Sequence, residues 1–209
     1  FSQFSYINFK YIVGDEFIKI KDLKNITDKR VFEGSTDWKY NKAMLQLMST
    51  SPRYKDLSVG LTRDIFSEEL ANQFFAMTIL MPKNEMFITF RGTDTSIAGW
   101  KEDMVMSYED TVLSEEQSLQ YLYDVLKSNN RKFYLGGHSK GGYLAYYVAV
   151  NMGEELEGKL IKAYSFDGPG FRKGVTHLAS YQRIKEKLVK YLTFNDVIGL
   201  LYPDGCEYK

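Results

Sequence analysis

The chain of 209 residues carries 27 basic and 27 acidic side chains, so it lacks the basic surplus expected of a nucleic-acid-binding protein. Its single cysteine, Cys206, allows no internal disulfide, and no apolar run approaches the roughly 18 residues that a membrane span requires. We therefore expect one domain over residues 1–209 and a cytoplasmic location. The sequence begins at Phe1 rather than at a methionine, so removal of a leader segment is the alternative.

Residues 1–70 predict mainly helical structure and give little indication of chemistry. Over residues 36–48 the apolar side chains recur at helical spacing, and Ser51-Pro52 interrupts the pattern. Residues 71–209 instead alternate between strand and helix patterns. We place the core of the domain there.

This core opens with two strands and a helix. Residues 73–80 and 86–90 are apolar and rich in residues that favour strands, and a proline-containing turn joins them, which predicts an antiparallel hairpin. Residues 114–127 present one apolar face at helical spacing. Ser114 and Gln117 predict a capping box at the start of this helix.

The stretch around Ser139 combines a predicted strand over 132–135, a glycine-flanked serine and a predicted helix over 143–151. Residues 137–141 read Gly-His-Ser-Lys-Gly, the pattern of a nucleophile elbow, in which small residues avoid collisions in a strained strand-to-helix turn. Such a turn exposes the serine hydroxyl and places the Lys140 amide where it can bind an oxyanion. A glycine-rich turn with an idle serine is the alternative, whereas a phosphate-binding loop would have Gly-Lys before the hydroxyl residue.

Further strands are predicted over 160–166 and 191–194, with a helix over 180–190 between them. Alternating strands and helices favour an α/β fold with a mostly parallel sheet, whose functional sites lie at the carboxyl ends of the strands. The polar residues that follow predicted strands are Thr93, Ser139, Asp167 and Asp196.

A serine that cleaves an ester or amide needs a base, an acid that orients the base, and donors for the oxyanion. In α/β-hydrolases the chain order is Ser, then Asp or Glu, then His. Asp196 is the first candidate for the acid because it follows the last predicted strand, and Asp167 is the second. Either carboxylate can instead cap amides in a turn. The two histidines, His138 and His177, both precede Asp196.

Several ordered motifs between residues 74 and 201 match those of a known family. They are Phe-Arg-Gly-Thr at 90–93, Trp100 with Asp103, Gly-His-Ser-Lys-Gly-Gly at 137–142, Phe-Asp-Gly-Pro-Gly-Phe at 166–171 and Asn-Asp-Val at 195–197. The chain resembles the class 3 lipases and, more narrowly, a bacterial Mbeg-like branch of that superfamily. The resemblance implies an α/β-hydrolase fold, with a mostly parallel sheet flanked by helices and incomplete at its C-terminal end.

The resemblance also implies roles for single residues. Ser139 would be the nucleophile and Asp196 the triad acid, while the Thr93 and Lys140 amides would form the oxyanion hole, with the Thr93 hydroxyl as a further donor. Supports of the loop would be Arg91, Trp100 and Asp103. A small-molecule or lipid ester would be the substrate, and no cofactor or metal is implied.

Two features depart from the family pattern. Lys140 stands where most class 3 lipases carry an apolar residue, although its amide can still serve. The family's base follows the last strand, so we expect a catalytic histidine beyond residue 209, with His138 turned away from Ser139 and His177 at the surface. A binding scaffold that kept the elbow without turnover, and an acyltransferase, are the alternative functions.

Residues 96–104 occupy the position of the mobile lid in class 3 lipases. They include Lys101 and Glu102, so the segment is less apolar than a lid that seeks a lipid interface. We therefore expect soluble or short-chain esters rather than emulsified fat. A lipid-binding face formed by residues 104–106 is the alternative.

Overall fold

The computed structural model describes residues 1–33, 38–94, 96–106, 111–194, 196–202 and 205. Cys206 and Asn195, which the sequence analysis singled out, lie outside these ranges, as do the side chains of Val105 and Met106.

Seven strands and five α-helices organise the described residues. The strands are β1 Ile18–Lys19, β2 Ser58–Ser67, β3 Asn72–Met81, β4 Glu85–Phe90, β5 Lys132–His138, β6 Leu160–Phe166 and β7 Leu188–Tyr191. The α-helices are α1 Trp38–Thr50, α2 Ile97–Met106, α3 Leu113–Ser128, α4 Lys140–Asn151 and α5 Ala179–Ile184. Short 3-10 helices complete the connections, and none of the described helices combines the length and apolar character needed to cross a bilayer.

The strands form one sheet in which spatial order follows chain order. Strands β1 to β4 pair antiparallel, whereas β4 to β7 pair parallel, so the sheet is mixed and its parallel half carries the elbow. In this half Phe90 pairs with Gly137, His138 with Phe166, and Phe166 with Tyr191. The carboxyl ends of the four parallel strands therefore lie side by side at one edge of the sheet.

Each face of the sheet has its own apolar core. Parallel strands laid down in order, with right-handed crossovers, place their connecting helices on a single face. Helices α3, α4 and α5 accordingly pack on one face, where they bury residues such as Leu122 and Leu144. The N-terminal segment and α1 cover the other face with Phe4, Phe9 and Leu45. Alternate residues of β3 and β4 point into the two cores.

The hairpin of β3 and β4 and the strand at 160–166 are confirmed. The sequence analysis does not predict β2, whose register shifts between Gly60 and Arg63 and so breaks the regular alternation. The predicted helix over 180–190 is wrong from residue 188: α5 ends at 184, a 3-10 helix covers 185–187, and residues 188–191 pair with β6 as β7. The last strand therefore begins three residues before the predicted strand over 191–194. At the start of α3 the Val112 N–H donates to the Glu115 carboxylate, so Glu115 rather than the predicted Gln117 caps the helix.

Candidate active site at the carboxyl ends of the parallel strands

Ser139 occupies a sharp turn between β5 and α4. Its φ of 55° and ψ of −128° lie in a region that residues with a side chain rarely adopt, as the sequence predicts for an elbow. Its N–H donates to the Phe166 carbonyl at 2.9 Å, which ties the turn to β6. A Cβ on Gly141 would lie 2.8 Å from the Phe90 carbonyl carbon. Glycine at this position therefore lets α4 begin directly against the end of β4.

Thr93 lies three residues beyond the end of β4, beside the elbow. A Cβ on the preceding residue, Gly92, would lie 3.3 Å from Ser139 Cβ. The Thr93 hydroxyl donates to Asp103 Oδ2 at 2.6 Å. This bond occupies the hydroxyl proton, so the Thr93 amide rather than its hydroxyl is the group left for an oxyanion. Burial raises the pKa of Asp103, while the Thr93 hydroxyl and the nearby Lys140 charge oppose that rise.

Thr93, Ser139 and Lys140 line one cavity of about 450 Å³. This volume falls within the size range of small-molecule sites. Its apolar wall includes Trp100, Met104, Ile198 and Leu201, and its polar wall includes Tyr6, His138, Tyr143 and Arg172. A larger depression of about 1060 Å³ runs along α1, but it holds none of the residues predicted for catalysis.

His138 lies on the wall of this cavity, and its side chain is 41% exposed. The side chain therefore lies at the cavity surface rather than in the interior packing that is usual for a histidine beside the elbow serine. Its Nδ1 lies 3.0 Å from the Tyr6 hydroxyl, and its Nε2 lies 3.9 Å from Asp167 Oδ2. Burial raises the pKa of Tyr6, so the phenol keeps its proton at neutral pH, and the tautomer of His138 sets which of the two groups donates. His177 belongs to the 3-10 helix Val175–His177 and does not line the cavity.

The two candidate acids both bind backbone amides. Asp167 follows β6 with a φ of 52°, and its carboxylate accepts from the Thr193 N–H at 2.7 Å. Asp196 accepts from the N–H groups of Ile198 at 3.1 Å and Gly199 at 2.6 Å. It thereby binds the first amides of the 3-10 helix Ile198–Leu200, whose Ile198 lines the cavity, while Asp196 is not itself among the lining residues.

Sequence reasoning missed several cavity residues. Tyr6 comes from the N-terminal segment, and no local pattern indicates that this segment reaches the elbow. Tyr143 donates to the buried Glu115 at 2.6 Å, so it links α4 to α3 behind the cavity wall. Arg172 directly follows the motif at 166–171, and this proximity was the one available signal for it. No group of three or more His, Cys, Asp or Glu residues suited to a metal ion occurs among the described residues.

Comparison with known proteins gives a family match for the sequence and, independently, similar solved structures for the fold. A family model described as Mbeg1-like matches residues 48–208. The crystal structure of M37 lipase is 16% identical with a TM-score of 0.56, and the match covers 96% of this chain and 68% of that one. Lip2 lipase from Yarrowia lipolytica is 13% identical with a TM-score of 0.50, over 75% of this chain and 65% of that one. The chain thus spans about two thirds of the length of these lipases, and no curated protein matches it.

Proposed function

We propose that this chain, which belongs to the Mbeg1-like family and has an α/β-hydrolase fold, is a serine carboxylic-ester hydrolase. It would act through an acyl-enzyme on Ser139. One observation carries the proposal. The glycine-flanked Ser139, in its strained turn, lines a cavity together with the two residues whose amides would hold an oxyanion, Thr93 and Lys140. Strain retained at a cavity wall is typical of functional sites.

In this proposal the Ser139 hydroxyl attacks the ester carbonyl, and the alcohol leaves the tetrahedral intermediate. The amides of Thr93 and Lys140 stabilise the negative oxygen, since amides at a helix start favour developing charge. Water then releases the acid from the serine. The substrate is a small-molecule or lipid ester whose acyl part lies along the apolar wall.

The proposal also needs a general base that takes the proton of Ser139, and neither described histidine is placed in that role by its contacts. Both ring nitrogens of His138 lie next to other groups, Nδ1 next to the Tyr6 hydroxyl and Nε2 next to the Asp167 carboxylate. We therefore propose that a histidine beyond residue 209 takes the serine proton and that Asp196 orients it. The engagement of His138 equally favours the second candidate, a binding scaffold that retains the elbow without turnover. The expected cytoplasmic setting and the lack of a nucleic-acid partner stay predictions.

The test combines fluorophosphonate labelling with hydrolysis of p-nitrophenyl butyrate. A triad that lacks its base retains only about 10³ to 10⁴-fold acceleration, so the chain over 1–209 should turn over slowly. Added imidazole should raise its rate, because a small base can enter the cavity in place of the missing side chain. The same measurement on Ser139→Ala subtracts direct hydrolysis by imidazole. A rate that imidazole does not raise above the Ser139→Ala background, with no labelling, would leave the scaffold as the function.

A further inference from the structure

The side chain of Lys140 enters a buried polar cluster next to the elbow. Its Nζ donates to Glu102 Oε2 at 2.6 Å, to the Gln73 carbonyl at 2.6 Å and to Gln73 Oε1 at 3.1 Å. The Gln73 N–H also donates to Glu102 Oε2, at 3.1 Å. The side chains of Lys140 and Glu102 are each only 2% exposed. The cluster therefore joins α4, β3 and α2 through a fully buried ion pair.

This ion pair lies beside a second contact of α2. Glu102 binds the Lys140 side chain, and the next residue, Asp103, accepts the Thr93 hydroxyl. Two consecutive carboxylates on one helix thus hold the two residues whose amides are proposed for the oxyanion hole. The helix also packs closely at its start, where a Cβ on Gly99 would lie 3.0 Å from Thr93 Cγ2.

Movement of α2 away from the sheet would break this cluster. The Lys140 ammonium would then lose its carboxylate partner, and separating the partners of a buried ion pair is strongly unfavourable. The apolar side chains of α2 would also gain no new access to the cavity if the helix moved. Trp100 is 63% exposed and Met104 68% exposed, yet both already line the cavity. A lid that opens toward lipid would instead hide its apolar side until it opened.

We propose that the Lys140–Glu102 ion pair fixes α2 as a permanent wall of the cavity, so that the site takes single, water-dispersed ester molecules without any opening of α2 at a lipid surface. Lys140 is then a positioning residue through its side chain. The inference about substrate rests on the proposed hydrolase function, whereas the inference about α2 does not.

Hydrogen exchange on the whole chain tests the fixed helix directly. The double variant Lys140→Met with Glu102→Gln removes both charges and keeps side-chain size, so no unpaired buried charge remains. Amides of Trp100 to Met104 should exchange about tenfold faster or more in this variant, because local opening controls their exchange. If this double variant does not fold, Lys140→Gln with Glu102→Gln removes the same two charges and keeps a hydrogen-bonding group at both positions. Unchanged exchange across α2 in a folded variant would overturn the proposal.

A matched control is the exposed ion pair between Lys21 and Asp56, at 3.0 Å. Lys21→Met with Asp56→Asn makes the same chemical change far from the cavity. Exchange in α2 should then stay within about twofold of the unaltered chain. Faster exchange in this control as well would mean that general destabilisation, and not the buried pair, governs α2.

Activity on tributyrin below and above its solubility limit tests the substrate class. The unaltered chain, with imidazole present, should show no abrupt rise when droplets form, and the double variant should show one. An abrupt rise in the unaltered chain would overturn the inference while leaving the hydrolase function standing. Absence of hydrolysis at every concentration would instead remove the proposed function, and the exchange measurement would still decide whether α2 is fixed.

Discussion

At the scale of single residues, Asp103 connects ionisation to stability. Burial raises its pKa, so between its unfolded pKa and that raised value the folded chain holds a proton that the unfolded chain has released. The free energy of unfolding must then fall as the pH rises through this window. In Asp103→Asn this contribution is absent, so the stability of the variant relative to the unaltered chain should increase from about pH 4 toward neutral pH.

Urea unfolding at a series of pH values checks this sign. Asp56→Asn is the matched control, because hydrogen bonding to Lys21 lowers rather than raises the pKa of this exposed carboxyl. Its relative stability should change little or in the opposite sense. A parallel pH dependence for Asp103→Asn and the unaltered chain would show that the Asp103 carboxyl is ionised to the same extent in the folded and unfolded states.

Residues of the site differ in how far the sequence reveals them. The strain at Ser139 is predictable because it depends on glycines within two residues of it. The contact between Tyr6 and His138 joins residues 132 positions apart, and no local rule brings them together. The buried ion pair of Lys140 is similar: the sequence shows that a lysine departs from the family pattern, but only the packing of α2 shows its carboxylate partner.

At the scale of elements, the elbow depends on close approach between α4 and β4. A Cβ on Gly141 would lie 2.8 Å from the Phe90 carbonyl carbon and 2.9 Å from that of Arg91, and backbone cannot yield as a flexible side chain does. Gly141→Ala should therefore destabilise the fold by about 1–3 kcal/mol, despite the higher helix propensity of alanine. Thermal and urea unfolding measure this, and fluorophosphonate labelling should slow in parallel.

Gly158→Ala is the control for this substitution. A Cβ at Gly158 would meet no atom within 4 Å, and its φ is not in the left-handed region. Stability should then stay within about 0.5 kcal/mol, as is usual for surface substitutions. Equal effects of the two substitutions would mean that α4 can shift to accommodate a methyl group, and that the elbow is less tightly built than its contacts indicate.

The elements that the sequence predicts well are those with long apolar runs. Strand β3 is buried along most of its length and β4 at every residue after its first, so their apolar patterns are continuous. Strand β2 is mostly half-buried, includes a register shift, and has Leu61 at a φ of 50°, so its pattern resembles a loop. The boundary between α5 and β7 was misplaced because apolar spacing alone does not separate a helix end from a short strand.

At the scale of the whole molecule, the N-terminal segment is part of the core. Crossovers of one hand leave the second face of the sheet without helices from the parallel half, so another part of the chain must cover it. Residues such as Phe4 and Phe9 do so by packing against Phe75 and Met77 in one apolar cluster. The same segment carries Tyr6 to the cavity wall. The segment before the family match therefore contributes both to stability and to the site.

The family match begins at residue 48, which suggests a domain boundary there. The packing of residues before 48 against β3 and β4 contradicts such a boundary. A chain shortened to residues 48–209 would expose the apolar side chains of β3 and β4 that form the second core, including Phe75, Ile79 and Phe87, each of them buried in the full chain. We expect this shorter chain to lose cooperative unfolding, bind 8-anilinonaphthalene-1-sulfonate strongly and aggregate, because a sheet with one bare apolar face lacks half of its stabilising burial. The control is Phe9→Ala in the full chain, where loss of one buried aromatic ring should cost about 3–5 kcal/mol. A shorter chain that unfolds cooperatively with the midpoint of the full chain would mean that the N-terminal segment covers the sheet without stabilising it.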